Sequence, residues 1–447
     1  MIPIYSGISS YRFGRNAGHF AKFRALNYNA SEDAKEIWKL YAPEVEFKLD
    51  FELSPIHCAA LYEYDANDRE RPSLEDVLQF GNKLAKENTS DWSSIKRDMP
   101  KHSPLHSEVL DYFNAEQKKG KLPKMIFKEL IEQPDIIQKW TPLFWAAFAG
   151  RTENVETLLD REANAFAITP VGRNIFHHAA ESGNEELFEL LFRRRLHDPQ
   201  KFKTPVDINR RDKWGETPLH VACQNSPFSV EMLLNHGAWL DVRQNSAETP
   251  FHYVHYQTGD KRLSTLKTLL LRVEDGEPLI NATNTAGEPP LFYLLGSSLC
   301  VQMLLDKGAD ATIVDLEGRT ALHHVCMHNY HESLIILLKS GASNLVTAPD
   351  SERDTPLFTA FRSSAKDCAK ILLQHQHHNP RMTDKDGWTM LHHAAGLNDE
   401  AVLGLVLSIP KLPKRVTTNG GQTALDIARS KRCSSRIKEI LVNAGCV

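Results

Sequence analysis

The stretch ALHHVCMHNYH, residues 321–331, sets His323, His324, Cys326, His328 and His331 within eleven positions. Imidazole and thiolate groups are zinc ligands, and His324 and His328, four residues apart, fall on one face of a helix. A two-histidine site still needs a third ligand, and no carboxylate or thiol stands in sequence register to supply it. A second cluster, LLQHQHHNP at 372–380, sits where a helix ends, and imidazoles suit the negative end of the helix dipole. Cys326 with His323 is the one pairing that resembles a nucleophile and its base. No GxSxG, HExxH or GxxxxGKS/T pattern occurs. Acyl transfer, zinc-dependent proteolysis and phosphate cradling therefore have no motif to rest on.

Repetition of the surrounding sequence supplies a different reason for these residues. TPLFWAA begins at Thr141, NIFHHAA at Asn174, TPLHVAC at Thr217 and TPFHYVH at Thr249. PPLFYLL follows at Pro289, then TALHHVC at Thr320, TPLFTAF at Thr355, TMLHHAA at Thr389 and TALDIAR at Thr423. The steps are 33, 43, 32, 40, 31, 35, 34 and 34 residues. A second element trails each first one, as in VETLLDREA (155–163), VEMLLNHGA (230–238), VQMLLDKGA (301–309) and LIILLKSGA (334–342). A polar turn precedes each start, as in RRDKWGE (210–216), VDLEGR (314–319), TDKDGW (383–388) and TTNGGQ (417–422).

One unit reads as two short helices. Thr is a good N-cap because its hydroxyl accepts from an orphan amide of the first turn, and Pro fits the first helical position. Small residues such as Ala146, Ala147, Ala179 and Ala180 let neighbours approach closely. Gly150 and Gly183 end the leading helix in left-handed geometry, and Asn329 and Asn398 stand in the same slot. The trailing helix carries a Leu-Leu stripe and ends at Gly237, Gly308 or Gly341. Such a unit cannot bury its own apolar face, so stacking must complete the core.

DKWGETPLHVAC (212–223) followed by VEMLLNHGA resembles the ankyrin repeat, with its period of about 33 residues. The resemblance covers 138–447 in about nine units and implies an all-α ankyrin solenoid of helix-turn-helix units joined by β-hairpin turns. It implies that His57, His177, His220, His252, His323 and His392, all fourth in the motif, are structural, their rings tying adjacent units through backbone hydrogen bonds. Cys326 then takes a small buried slot shared with Ala147, Ala180 and Cys223. His328 and His331 are left as surface. The family contacts its partners through the hairpin tips and the residues just before the first-helix glycine. Those positions are Phe148, Ala149, Glu181, Ser182, Gln224, Asn225, Tyr256, Met327, His328, Arg362, Ser363 and Leu397. The tips add Lys213, Trp214, Glu317, Arg319, Lys385 and Trp388. Each tryptophan either packs on its own hairpin or meets a partner. Pro289, in place of the capping Thr, is expected to start its helix less well.

The region before Thr141 is less regular. Residues 1–50 form an irregular segment with one helical stretch, SEDAKEIWKLYA at 31–42. Residues 51–137 hold either two elaborated ankyrin-like units or an unrelated helical cap, with SPIHCAA at Ser54 as an early copy of the motif and KMIFKELIEQPDI (124–136) as a trailing helix. FKLDFELSPIH with the LEDVL helix behind it resembles the opening of ankyrin arrays in multi-domain fungal proteins.

Composition bounds the remaining classes. Across 447 residues, 41% are hydrophobic and 25% charged, which suits a packed core. A net charge of -4 gives no electrostatic case for nucleic acid or an anionic membrane. The basic run RRRLHDPQKFK at 193–203 reads as a solvated loop. Seven cysteines form no CxxC pair, so reduced thiols in an intracellular, cytoplasmic setting are expected, with the nucleus left open. No run of 18 apolar residues is present, and MIPIYSGISSYRF lacks the basic and apolar regions of a secretory signal. The expectation is a monomeric, non-catalytic scaffold or adaptor that binds protein partners without cofactor or metal. The alternative is the recognition domain of a larger signalling or enzymatic protein.

Overall fold

The computed structural model describes residues 78, 119, 123–135, 138–197, 205–273, 278–374 and 379–446. The helical stretch expected at 31–42, the early copy of the motif at Ser54 and, apart from Leu78, the LEDVL helix lie outside these residues, as do His57, most of the basic insertion after Leu196 and part of the cluster at 372–380. The chain divides into two compact bodies, Met1–Ala165 and Phe166–Val447.

In the first body a helix at Pro123–Glu132 precedes the unit opened by Thr141, whose two helices are Pro142–Phe148 and Thr152–Asp160. Asp135 organises the approach. Its carboxylate accepts from the amides of Gln138 and Trp140 at 2.6 and 2.8 Å and from Trp145 Nε1 at 3.0 Å. Trp140, Trp145 and Phe148 gather around it, with ring centroids 4.8–6.1 Å apart.

Among its described residues the second body holds eight further helix pairs. The leading helices are Ile175–Ser182, Pro218–Asn225, Pro250–Tyr253, Pro290–Leu294, Ala321–His328, Pro356–Arg362, Met390–Gly396 and Ala424–Ser430. The trailing helices are Glu185–Arg193, Pro227–Asn235, Gly259–Leu270, Ser298–Asp306, His331–Lys339, Lys366–Leu373, Glu400–Leu407 and Ser435–Asn443. The Pro289 unit has one of the shortest leading helices, five residues, and no side-chain cap. The longer spacing after Thr249 is taken up partly by a twelve-residue trailing helix. Ala179, Ala180, Ala222, Cys223, Cys326, Ala394 and Ala395 are fully buried, so backbones approach where the small residues predicted they would. Gly183, Asn329 and Asn398 are all left-handed, with φ of 64°, 57° and 54°. In the first body Gly150 is left-handed too, at 68°.

Among the described residues the hairpins carry only two isolated bridges, Val314 with Thr320 and Thr383 with Thr389. Side chains hold the turns instead. Asp315 Oδ1 accepts from the amides of Glu317 and Arg319, both at 2.9 Å, and Asp384 Oδ1 from those of Asp386 and Trp388 at 3.0 and 2.8 Å. Asp212, Asn284 and Asp350 do the same in their own turns. Successive tips are stitched by single backbone bonds, among them Asn245 N to Trp214 O, Thr285 N to Ser246 O and Leu316 N to Ala286 O, each 2.9 Å. Gly387 shows why a glycine is needed at such a tip. Its φ is +74°, and a Cβ there would lie 2.9 Å from the Asn419 amide nitrogen.

The threonine caps differ in detail from the expectation. Where the fourth motif residue is His, the Thr hydroxyl points at the ring. The Oγ1 of Thr217, Thr249, Thr320 and Thr389 lies 2.9–3.0 Å from the Nδ1 of His220, His252, His323 and His392. The same Nδ1 accepts from the threonine's own amide at 3.0–3.2 Å. The hydroxyls of Thr355 and Thr423 accept from the amides of Phe358 and Asp426.

Candidate partner-binding surface

The opening question about His323 resolves in its second ring nitrogen. Nε2 of His177, His220, His252, His323 and His392 lies 3.0–3.3 Å from the backbone carbonyls of Glu216, Glu248, Glu288, Asp354 and Val416, each in the turn before the next unit. A carbonyl only accepts, so Nε2 carries the proton and Nδ1 is the acceptor. The ring is neutral and both nitrogens are used. Burial holds His220 and His252 down to about 4, and lowers His177, His323 and His392 as well. These rings join units and are not available as ligands. Cys326 is equally committed to the interior: burial, with the Cys368 thiol beside it, raises it well above the ordinary thiol value.

His324 differs from the sequence expectation. A carboxylate does stand beside it: Nε2 is 3.0 Å from Asp315 Oδ2, and Glu288 completes a group whose ligand atoms lie within 4.8 Å of one another. Asp315 reaches it from the preceding turn, a relation that helix spacing does not reveal. The same pair recurs as His393 and Asp384 at 2.9 Å. Arg319, expected as an exposed tip residue, is buried instead, with Nε 2.8 Å from Asp315 Oδ2. A guanidinium thus occupies the cationic position next to this carboxylate. Burial alone would raise Asp315, but the hydrogen bonds from His324 and Arg319 outweigh it and hold the carboxyl well below the usual range. His328 does not join the cluster. It is exposed and stacks on Tyr330 at 5.4 Å. His328→Ala is accordingly expected to change the melting free energy by less than about 0.5 kcal/mol; a loss beyond 2 kcal/mol in urea titration would show the ring to be structural.

The remaining predicted contact residues are placed in different ways. Gln224 and Met327 are half-buried at the ends of their leading helices, and Tyr256 is half-buried with its ring 3.9 Å from His255 and 5.8 Å from Tyr253. Glu181 is drawn inward, its carboxylate 3.2 Å from Arg173 Nη1. Leu397, expected to be exposed, is buried at 9% exposure; Asn398 takes the left-handed turn and Leu397 remains on the inner side of the helix end. Phe148 packs in the first body against Trp140 and Trp145. Both tip tryptophans have neighbours of their own. Lys213 Nζ and Arg173 Cζ lie 4.4 and 5.5 Å from the Trp214 ring, and Trp388 packs 5.0 Å from His393. Both rings stay half-buried.

The sequence reading missed a charged network. Arg173 is 9% exposed and forks to three carboxylates: Nε to Asp212 at 3.0 Å, Nη2 to Glu216 at 3.0 Å and Nη1 to Glu181. Tyr253 donates its hydroxyl to Glu216 at 2.7 Å. Burial alone would lower Arg173, but the three acids raise it above its ordinary value. Burial raises Asp212, and Arg173 does not fully offset it. The signal was present: six successive residues before the cap position are charged, namely Arg173, Glu216, Glu248, Glu288, Arg319 and Asp354.

Two family models, both described as ankyrin repeats, match the chain at residues 117–203 and 291–381 and at residues 200–254. Transient receptor potential cation channel subfamily A member 1 of Homo sapiens is 30% identical over 203 residues, 44% of this chain and 17% of that protein. B-cell lymphoma 3 protein homolog of Mus musculus is 28% identical over 258 residues, 52% of this chain and 53% of that protein. A putative ankyrin repeat protein of Acanthamoeba polyphaga mimivirus is 27% identical over 213 residues, or 46% and 48%. The chain spans about half the length of these relatives or less. They are animal and viral, and do not support the fungal resemblance.

Proposed function

As this chain belongs to the ankyrin repeat family, we propose that it is a non-catalytic protein-recognition module, acting as a scaffold or adaptor. The observation that carries this reading is a division of labour among side chains. The residues that recur, His, the capping Thr and the turn Asp, use their polar groups on one another and on backbone. The residues at the end of each leading helix change type from unit to unit, as in Gln224, Tyr256, Met327 and Arg362. A constant frame carrying a variable row suits recognition, in which a few aromatic, Met and Arg side chains supply most of the contact energy. Among the described residues no helix is long and apolar enough to cross a membrane. Among the described residues six cysteines are buried and unpaired, which accords with a reducing, cytoplasmic setting.

Affinity capture tests this reading. The wild-type chain is expected to retain one or more proteins that a Tyr256→Ala/Met327→Ala variant loses. Equal capture by both would remove the row from the binding surface. A second reading, the recognition domain of a longer signalling or enzymatic protein, is favoured by the fraction of its relatives that the chain spans, 17% for the human channel subunit. Full-length transcripts that continue into a catalytic or nucleotide-binding domain would establish it.

A further inference from the structure

The turn between helices Ala424–Ser430 and Ser435–Asn443 carries Arg429, Lys431, Arg432 and Arg436 within eight residues. Three of these cations stand where other units use a different residue. The seventh motif position is filled by the buried Ala180, Cys223, Cys326 and Ala395 in four other units, and by the exposed Arg429 here. The left-handed position is Gly183, Asn329, Ser364 or Asn398 elsewhere and Arg432 here, with φ of 55°. That backbone suits Gly and Asn and disfavours a long side chain. The first turn of the trailing helix carries Glu332, Asp367 or Glu400 in other units and no acid here. Arg436 stands there instead, at the end of the helix dipole that repels a cation. Local preferences that give way together at one turn are expected where the residues serve function and not the fold.

The turn itself is fixed. The amide of Cys433 donates to Ala428 O at 2.9 Å and its buried thiol to Ala395 O at 3.4 Å. The amide of Ser434 donates to Asn398 Oδ1 at 2.8 Å, and its hydroxyl accepts from the Ile437 amide at 3.3 Å. All four cations around this frame are exposed. Nearby acids do not balance them. Asp426 stands 3.7 Å from Arg429, but its other oxygen already accepts from the amide and hydroxyl of Thr423. Glu439 meets Arg436 at 3.0 Å with both side chains more than half exposed, where water screens the pair. Asp399 of the preceding unit is taken by Lys370, Lys366 and the Val402 amide. Of the acids that share a cavity with Lys431, Asp384 is bound to His393 and Asp386 is exposed at its tip. Among the described residues Lys431 and Arg432 pair with no carboxylate. Residues 409–446 hold eight Lys and Arg against two Asp and Glu, in a chain whose totals are 53 and 57, so this unit is positive while the rest of the chain is negative.

We propose that this turn docks an acidic segment of a protein partner, a run of Asp and Glu whose carboxylates are received by Arg429, Lys431, Arg432 and Arg436. Guanidinium forks suit carboxylates, and four exposed cations on a fixed turn match a closely spaced row of them. Other polyanions fit less well. No Phe, Trp or Tyr occurs in 409–446, so bases have no platform to stack on. Among the described residues of this unit Val442 is the one large apolar side chain exposed, too little to enter a bilayer. The negative remainder of the chain opposes the long phosphate row of a duplex. The proposal rests on the protein-recognition reading above and adds to it a second surface with one partner chemistry.

The test titrates the full chain into fluorescein-labelled decaglutamate and follows fluorescence polarisation. Binding is expected at about 50 mM salt and should weaken by about tenfold or more at about 300 mM. The Arg429→Gln/Arg432→Gly variant should lose about tenfold or more at the lower salt. Glycine suits the left-handed backbone at 432, so this variant is expected to fold, which circular dichroism checks. Arg243→Gln/Lys339→Gln removes the same charge from exposed positions in other units and should stay within about twofold of the wild type. No binding at the lower salt, or equal losses in the two variants, would overturn the proposal. Tighter binding of a DNA duplex or of phosphatidylserine vesicles than of decaglutamate would overturn it too, by giving the turn a different occupant. Any of these results, beside proteins still captured by the wild type and lost from Tyr256→Ala/Met327→Ala, would leave protein recognition standing and remove only this turn from it.

Discussion

Arg173→Met is expected to cost the second body about 3–5 kcal/mol, because it strips the cation from three carboxylates and leaves them buried together. Asp212 and Glu216 are both buried, and Glu181 is held at 3.2 Å with 17% of its side chain exposed. Burial alone would raise Glu181, but Arg173 outweighs it and lowers it below the usual carboxylate value. Without the guanidinium the acids must either protonate or draw water into the space between units. Denaturant unfolding followed by circular dichroism would read the loss. Arg173→Lys is expected to recover only part of it, since one ammonium cannot replace a fork that serves three oxygens in different directions. Adding Asp212→Asn and Glu216→Gln to Arg173→Met should return much of the stability, because neutral amides no longer need the cation. A loss under 1 kcal/mol for Arg173→Met would show that the network is compensated by water and contributes little.

Acid is expected to weaken the array between about pH 6.5 and 4, before most carboxylates titrate. His220 and His252 are held at about 4 in the folded chain, against about 6.5 when unfolded. Above pH 6.5 neither state binds the proton, and the full contribution to stability is present. As pH falls through that value the unfolded chain takes up protons that the folded chain refuses. Stability therefore drops, and it continues to drop until the folded histidines titrate near pH 4. The loss is on the order of 3 kcal/mol for each of the two residues. Burial is the main cause, and the geometry agrees: a proton added to Nδ1 would confront the threonine amide that now donates to it. Melting temperature followed from pH 7 to 4 should fall steadily. His220→Gln, although less stable at pH 7, should show a shallower slope. A flat profile in this window would mean that the rings are protonated in the folded state.

Much of this frame could be read from the sequence. The Thr, His, Ala and Gly positions are set by helix caps and close packing inside a single unit, so a repeated pattern displays them directly. Asn329 could be assigned to a left-handed turn because other units place glycine there. Contacts between units are less legible, because they join residues on different elements. Asp315 meets His324 from the turn before its helix, and Arg319 folds back onto the same carboxylate, although both look like ordinary polar tip residues. Leu397 was misplaced for a related reason. The leading helix that begins at Met390 ends at Gly396, so the residue in the surface row is a glycine and Leu397 stays inside.

The histidine bridges also give the array a direction. Each ring closes the cap of its own helix and spends its remaining proton on a carbonyl that lies ahead of it in the chain, never behind. The forward stitching is interrupted where Phe292 and Phe358 take the histidine position, and it ends at Asp426, whose carboxylate accepts from both the amide and the hydroxyl of Thr423. Shortening the array is therefore asymmetric. Removing whole units from the amino side takes each histidine away together with its cap, whereas cutting after Pro413 leaves His392 buried with a donor and no acceptor. A version of this chain cut after Pro413 should thus lose stability at the unit that carries His392, a loss that denaturant unfolding would read.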